Sequence, residues 1–380
     1  MIYLDNAATS FPKPKSVYKS VMEAMTRYGA NPGRGSHAMA IEGARVIYET
    51  RELIAELFNL EDPMNVIFTF NATDSLNLAI KGILKNGDHV ITTEMEHNSV
   101  LRPIKELEKF GVENTIVKCM NDGSVNLTDL EGAIRDNTKL IVTTHASNLT
   151  GTIFPAEEIG KICKKHGLLY LLDASQSAGL LKIDFKKYNI DFLAAPGHKG
   201  LLGPQGTGIL VINSSVELKQ LKEGGTGSLS TSLEHPDFYP DKLEAGTHNL
   251  PGIAGLNSGV KYILDRGLES IYSHEKKLLD IFIKEIKKNP KIEIYGPESI
   301  DHRIGVLPIN VKGLDSSDVA FILDTEYSIA VRPGLHCAPL AHKAIATDKI
   351  GAVRFGVGPF NKRKDIMTAV EALNEISNFR

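Results

Sequence analysis

The sequence predicts an α/β fold, with a mostly parallel sheet covered by helices and a smaller α+β domain after it. From about residue 65 to 213, short apolar runs rich in β-formers alternate with helical patterns, the rhythm of parallel strands joined by crossover helices. Most polar residues with chemical potential stand just past the ends of those runs, at Thr73, His97, Asn148, Asp173 and His198-Lys199. Open α/β sheets place their ligand sites there.

The strand-like runs are 66–70, 89–93, 140–144, 168–173, 192–195 and 208–212. Residues 223–249, rich in Gly, Ser, Thr and Pro and without periodicity, predict a long loop, and loops of that length are usually functional. Residues 253–288 predict a helical stretch interrupted at Gly267. Beyond it come a strand over 304–311, a helix over 316–323, a strand over 329–332 and a last helix from Lys362. The division is a large domain over 15–255 and a small domain built from 1–14 and 256–380.

Composition narrows the function classes. The chain has 380 residues, 42% hydrophobic and 23% charged, enough for two domains sharing a cleft. A net charge of -3 gives no reason to expect a polyanion, so nucleic acid is not an expected partner. Three widely spaced cysteines, Cys119, Cys163 and Cys337, argue against a disulfide framework and for a reducing compartment. With no secretory, transit or membrane-spanning pattern read in the sequence, the cytoplasm is the expected location.

Ala195-Pro196-Gly197-His198-Lys199-Gly200 leaves a strand and enters a Gly-rich run at 203–208. Glycines let backbone approach a bulky ligand, and a desolvated lysine there has the nucleophilic amine that Schiff-base chemistry needs. Alone, the motif reads more readily as a surface lysine on a turn. A P-loop is excluded, because the glycines follow the lysine and no Gly-Lys-Ser/Thr occurs; no Gly-x-Gly-x-x-Gly follows a strand either. Asp173 ends the run Leu171-Leu172, where an acid can keep a pyridinium nitrogen protonated or simply cap a helix.

His97 and Asn148 end two further strands. The histidine can stack on a flat ring and move protons, or hydrogen-bond within its loop; no His-x3-His or similar spacing points to a metal. Asn71-Ala72-Thr73 sits at a strand-to-helix passage suited to a phosphate. Cys337, on a Pro/Gly-bounded loop beside Arg332 and His336, has the setting of a reactive thiol, whereas Cys119 and Cys163, in strand-like and helix-like runs, fit inert packing. Arg354 lies among apolar strand residues and needs an anionic partner, either a substrate carboxylate or a structural one.

Together these segments resemble the class V aminotransferase group of pyridoxal-phosphate enzymes, and within it the Suf-type cysteine desulfurases. The resemblance runs in order along nearly the whole chain: Tyr3-Leu4-Asp5-Asn6-Ala7-Ala8-Thr9, Glu94-Met95-Glu96-His97-Asn98, Ser147-Asn148-Leu149-Thr150-Gly151-Thr152, Asp173-Ala174-Ser175-Gln176-Ser177, Gly197-His198-Lys199, Glu244-Ala245-Gly246-Thr247 and Arg332-Pro333-Gly334-Leu335-His336-Cys337-Ala338. It implies the pyridoxal-phosphate fold type I, with a large-domain sheet of the seven-stranded type. It also implies Lys199 as the lysine that carries the cofactor, Asp173 as partner of the ring nitrogen, Gln176 at the ring hydroxyl and His97 stacked on the ring. Ala72, Thr73 and His198 fall at phosphate-contact positions. Thr247 matches a phosphate contact given by the neighbouring subunit, which implies a homodimer. Asn148 and Arg354 match the clamp on the substrate carboxylate, and Cys337 the nucleophile that takes sulfur from L-cysteine, or L-selenocysteine, for a sulfur-acceptor protein.

Three positions depart from the pattern. Pro196 and Ala72 remove hydroxyls that would bind phosphate, and Leu335 replaces a histidine. The rival expectations are a selenocysteine lyase or another class V enzyme, with less need of Cys337, and a non-enzymatic sulfur carrier, with no need of Lys199 or Asp173.

Overall fold

The computed structural model describes residues 1–33 and 35–378. In chain order its strands are β1 (Ile2–Tyr3), β2 (Val66–Thr69), β3 (His89–Thr93), β4 (Glu113–Val117), β5 (Thr138–Thr144), β6 (Leu169–Asp173), β7 (Phe192–Pro196), β8 (Gly208–Ile212), β9 (Ile292–Ile294), β10 (Val306–Val311), β11 (Ile329–Ala330) and β12 (Val353–Gly356). The helices are α1 (Lys15–Thr26), α2 (Ala38–Phe58), α3 (Ala72–Ile83), α4 (Asn98–Leu107), α5 (Leu127–Gly132), α6 (Ala156–His166), α7 (Leu250–Arg266), α8 (Leu268–Ile286), α9 (Ser316–Tyr327), α10 (Pro339–Ala344) and α11 (Arg363–Ile376).

Seven strands form the main sheet in the order β2-β8-β7-β6-β5-β3-β4. The run from β7 to β4 is parallel throughout, and β8 is antiparallel to both its neighbours. The inner strands are continuous apolar runs because both sheet faces are covered, Ile141, Leu172 and Leu193 packing into one layer and Val142, Leu171 and Phe192 into the other. β4 is an edge strand of sequence Glu-Asn-Thr-Ile-Val with only Val117 buried, and it lacks the apolar run by which its neighbours are recognised. Cys119 lies beyond the end of β4, in an isolated bridge to Val125, and not within a strand as expected.

The helical stretch breaks at Gly267, whose φ of 82° is left-handed and favours glycine. The expected domain boundary at 255/256 falls inside α7, where Leu256, Val260 and Ile263 share the core of the main sheet, as does Ile271 on α8. Past Gly267, α8, α9 and α11 cover the antiparallel sheet β12-β10-β9, with Phe282 edge-on to Phe355 at 5.0 Å. β1 pairs in parallel with β11, tying residues near the start of the chain to this second core. Residues 213–249 carry no strand or helix; Glu244 fastens that loop by accepting from Arg51 on α2 and from Phe68 N on β2.

Candidate active site

Five strand exits of the main sheet open onto one cavity. Thr73, His97, Asn148, Asp173, Gln176, His198 and Lys199 all line it, together with Ala72 and Pro196. Each is there because a parallel strand ends beneath it. At the β2–α3 passage, Asn71 caps α3 by accepting from Asp74 N at 2.9 Å, and the N–H groups of Ala72 and Thr73 have no protein partner among the described residues. A helix start with free N–H groups attracts an anion.

At the next exit His97 caps α4. Its Nδ1 accepts from Ser99 N at 3.1 Å, so the proton of the neutral ring sits on Nε2. Burial, with Lys199 next, lowers its pKa to about 4. Ser99 Oγ also shares a hydrogen bond of 2.7 Å with Thr73 Oγ1, joining two exits. Beneath them the buried Glu96 accepts from Thr93 Oγ1 and Thr144 N and so ties β3 to β5. Burial lifts its pKa to about 8.

Asp173 is buried, accepts from Ser175 N at 2.9 Å, and has its pKa raised by burial. Among the described residues, Ser175 alone hydrogen-bonds this carboxylate. Such a carboxyl calls for a cationic N–H in the cavity. Lys199 stands across from it. Burial, with Arg354 second, lowers its amine to about 8, while Asp173 opposes the shift. The surrounding glycines are needed for close approach, since a Cβ on Gly200 would run into Ala178 O and one on Gly197 into the Thr207 hydroxyl.

The Cys337 segment comes to this cavity from the second core. His336 O accepts from Asn148 Nδ2 at 2.8 Å and Cys337 O from Asn98 N at 2.8 Å. Cys337 is the one exposed cysteine of the three, with Arg332 Nη2 3.5 Å from its Sγ. Burial pushes Cys119 up to about 12 and Cys163 higher still. α10 (Pro339–Ala344) begins two residues after Cys337. Arg354, 1% exposed, donates from Nη2 to Asp5 at 2.9 Å and from Nη1 to Asn148 O at 3.0 Å; its Nε is buried without a partner.

Three expected residues are not in the cavity lining: the Cys337 segment and Arg354 are joined to it through Asn148, and Thr247 stays apart. Thr247 lines a different pocket, with Asp74, Lys222 and Gly206, and does not reach the cavity of its own chain. Ser99, Ser175, Asp5 and Glu96 were not singled out from the sequence. Ser99 and Ser175 could have been found as hydroxyls two residues past the α4 cap His97 and the β6 end Asp173; nothing local marks Asp5. Among the described residues no group of three or more His, Cys, Asp or Glu is placed to hold a metal ion, and no helix is long and apolar enough to cross a membrane.

A lysine amine and an acid facing each other across a cavity at parallel strand ends, with a free helix start beside them, define an enzyme of covalent amine chemistry acting on an anionic, nitrogen-containing group. The class-V aminotransferase family model matches residues 2–368, and the chain belongs to that family, whose enzymes depend on pyridoxal phosphate. A probable cysteine desulfurase of Methanothermobacter thermautotrophicus is 36% identical over 99% of this chain and 94% of its own length. Another from Pyrococcus abyssi is also 36% identical, over 99% and 94%. The solved apo structure of a cysteine desulfurase from Thermococcus onnurineus superposes with a TM-score of 0.91 at 34% identity, covering 99% of this chain and 94% of that one. The cavity fits the family's cofactor. Its buried acid is bonded by Ser175 alone, its amine is near neutrality and its helix start is unpartnered, matching in turn a ring nitrogen, an aldehyde and a phosphate.

Proposed function

We propose that this chain is a cysteine desulfurase that takes the sulfur of L-cysteine onto Cys337 and leaves L-alanine. The observation that carries the reading is the exposed Cys337, next to a residue whose carbonyl is held by the cavity-lining Asn148. The names of the relatives support it.

Lys199 would hold the cofactor, with Asp173 at the ring nitrogen, Gln176 at the ring hydroxyl, and Thr73, His198 and the α3 start at the phosphate. With Ala72 and Pro196 lacking hydroxyls, backbone N–H groups carry more of the phosphate contact. The bound group supplies an electron sink for the pair released at the substrate carbon.

Asn148 and Arg354 hold the substrate carboxylate, fixing which bond faces Lys199. Lys199, with an amine near neutrality, takes the Cα proton when released from the cofactor and can return it. His97, neutral with its proton on Nε2, would lie against the ring and would donate rather than accept. The Cys337 thiolate attacks the substrate sulfur. An S–S bond forms, the C–S bond breaks with its electron pair going to carbon, and that carbon takes a proton. Cysteine plus enzyme thiol thus becomes alanine plus enzyme persulfide. Exposure of Cys337 lets an acceptor protein's thiol reach that persulfide.

The chain works as a homodimer in this reading, with Thr247 reaching the partner's phosphate site. Its exclusion from its own cavity supports this, as do the exposed Tyr18, Met22 and Met25 on α1 and Ile41 and Tyr48 on α2. The test is incubation with L-cysteine without oxygen, following alanine and the mass of the Cys337 peptide. Alanine should form together with one added sulfur on Cys337; alanine without any mass change there, in the absence of reductant, would overturn the assignment.

A further inference from the structure

Lys13 is a half-buried lysine without a carboxylate, and no ion pair includes it among the described residues. Its Nζ donates to Ser10 Oγ and to His198 O, both at 2.6 Å. That carbonyl is crowded. It also faces Ser10 N at 3.1 Å, Thr9 Oγ1 at 3.1 Å and Ser10 Oγ at 3.2 Å, while Ser10 Oγ is 2.9 Å from Lys199 O. A carbonyl oxygen has two lone pairs and a serine hydroxyl one proton, so not all of these contacts are equal. The charged donor ranks first. By donating to Ser10 Oγ, Lys13 also turns that hydroxyl's own proton toward the two carbonyls.

We propose that Lys13 is a positioning residue for the cofactor lysine: through Ser10 it clamps the peptide unit between His198 and Lys199 against the N-terminal segment. The inference rests on Lys199 being the lysine that holds the cofactor. An ammonium removed from water without a counter-ion is costly, and burial lowers Lys13 to about 8, so a lysine kept here needs a role that the carbonyls supply. The segment also begins at Asp5, which holds Arg354, and Asn6 Nδ2 donates to Gly356 O at 3.0 Å. One short stretch of backbone therefore connects the arginine of the second core with the lysine of the first.

The test compares Lys13→Met, Lys13→Arg and Ser10→Ala with the parent, all loaded with pyridoxal phosphate, and carries Lys199→Ala in parallel. Three quantities are read: the rate at which the visible band is lost in the presence of a cofactor scavenger, kcat and KM for L-cysteine, and the unfolding midpoint of each cofactor-free protein. In Lys13→Met the band should be lost about tenfold faster and kcat should fall with KM nearly unchanged, as expected for a missing charge-assisted hydrogen bond. Lys13→Arg should restore most of both, and Ser10→Ala should move them the same way by less. Parent-like retention and kcat in both Lys13→Met and Ser10→Ala would overturn the proposal. So would losses in Lys13→Met that only track a lowered unfolding midpoint and are shared by Lys13→Arg. Should Lys13→Met fail to fold, Ser10→Ala decides alone. A normal visible band in Lys199→Ala would instead overturn the underlying assignment of Lys199.

Discussion

Arg354 Nη2 lies 2.9 Å from Asp5 Oδ1, between residues 349 apart in the chain. The guanidinium is thus oriented before any substrate arrives, with its buried Nε still unsatisfied. A planar fork held on one side by a carboxylate offers its remaining donors in a fixed direction.

Arg354→Ala should therefore raise KM for L-cysteine by roughly 10- to 100-fold, the equivalent of about 1.5–3 kcal/mol for a charge-assisted pair. Asp5→Asn should give a smaller rise. Initial rates over a range of cysteine concentrations decide it: an unchanged KM with a lowered melting temperature would assign the arginine to structure alone.

Lys199→Ala should remove both turnover and the visible band of the bound cofactor. No other lysine lines the cavity, so full turnover by this variant would remove the pyridoxal-phosphate mechanism from this site.

The amine of Lys199 sets a pH dependence. With a pKa of about 8, below the ordinary lysine value because burial disfavours the charged form, it is mostly ammonium below pH 8 and mostly free amine above. Only the free amine captures an aldehyde. The rate at which cofactor-free protein takes up pyridoxal phosphate should rise about tenfold per pH unit up to pH 8 and level off above it. Stopped-flow absorbance measures this, and a rate that falls between pH 6 and 8 would contradict the direction of the shift.

Cys337→Ser should still bind cofactor and still change its spectrum with L-cysteine, because none of the cavity-lining groups is altered. Alanine should not accumulate, an alcohol at neutral pH being a far weaker nucleophile than a thiolate. Following alanine rather than colour is essential, and alanine at the parent rate would favour a lyase or aminotransferase in which Cys337 is only a loop thiol.

What was legible in the sequence follows from how local each cause is. Lys199, Asp173 and His97 stand at strand exits, and an apolar run of five or so residues announces a strand wherever both sheet faces are covered. β4 has no such run because it lies at the edge. The reversed direction of β8 is equally hidden, since a buried strand reads the same in either sense. Ser99 was within reach, two residues from His97. Asp5 was not, as its partner is set by the pairing of β1 with β11 and the bridge from Asp5 to Gly356, which no spacing along the chain reveals. Thr247 shows a further limit, for its expected role depends on a neighbour.

The pairing of Asp5 with Arg354 also orders events during synthesis. Every group expected to hold the ring and phosphate within one chain lies between residues 72 and 199, and β8, needed to complete the middle of the sheet, is made by residue 212. Arg354 and Cys337 emerge more than a hundred residues later. At the usual pace of translation, roughly 5–20 residues per second, the ribosome carries for several seconds or more a chain that contains the groups proposed to hold the cofactor but neither Arg354 nor Cys337. A nascent chain that captured the cofactor early would hold a reactive carbonyl with no means yet of selecting an amino acid.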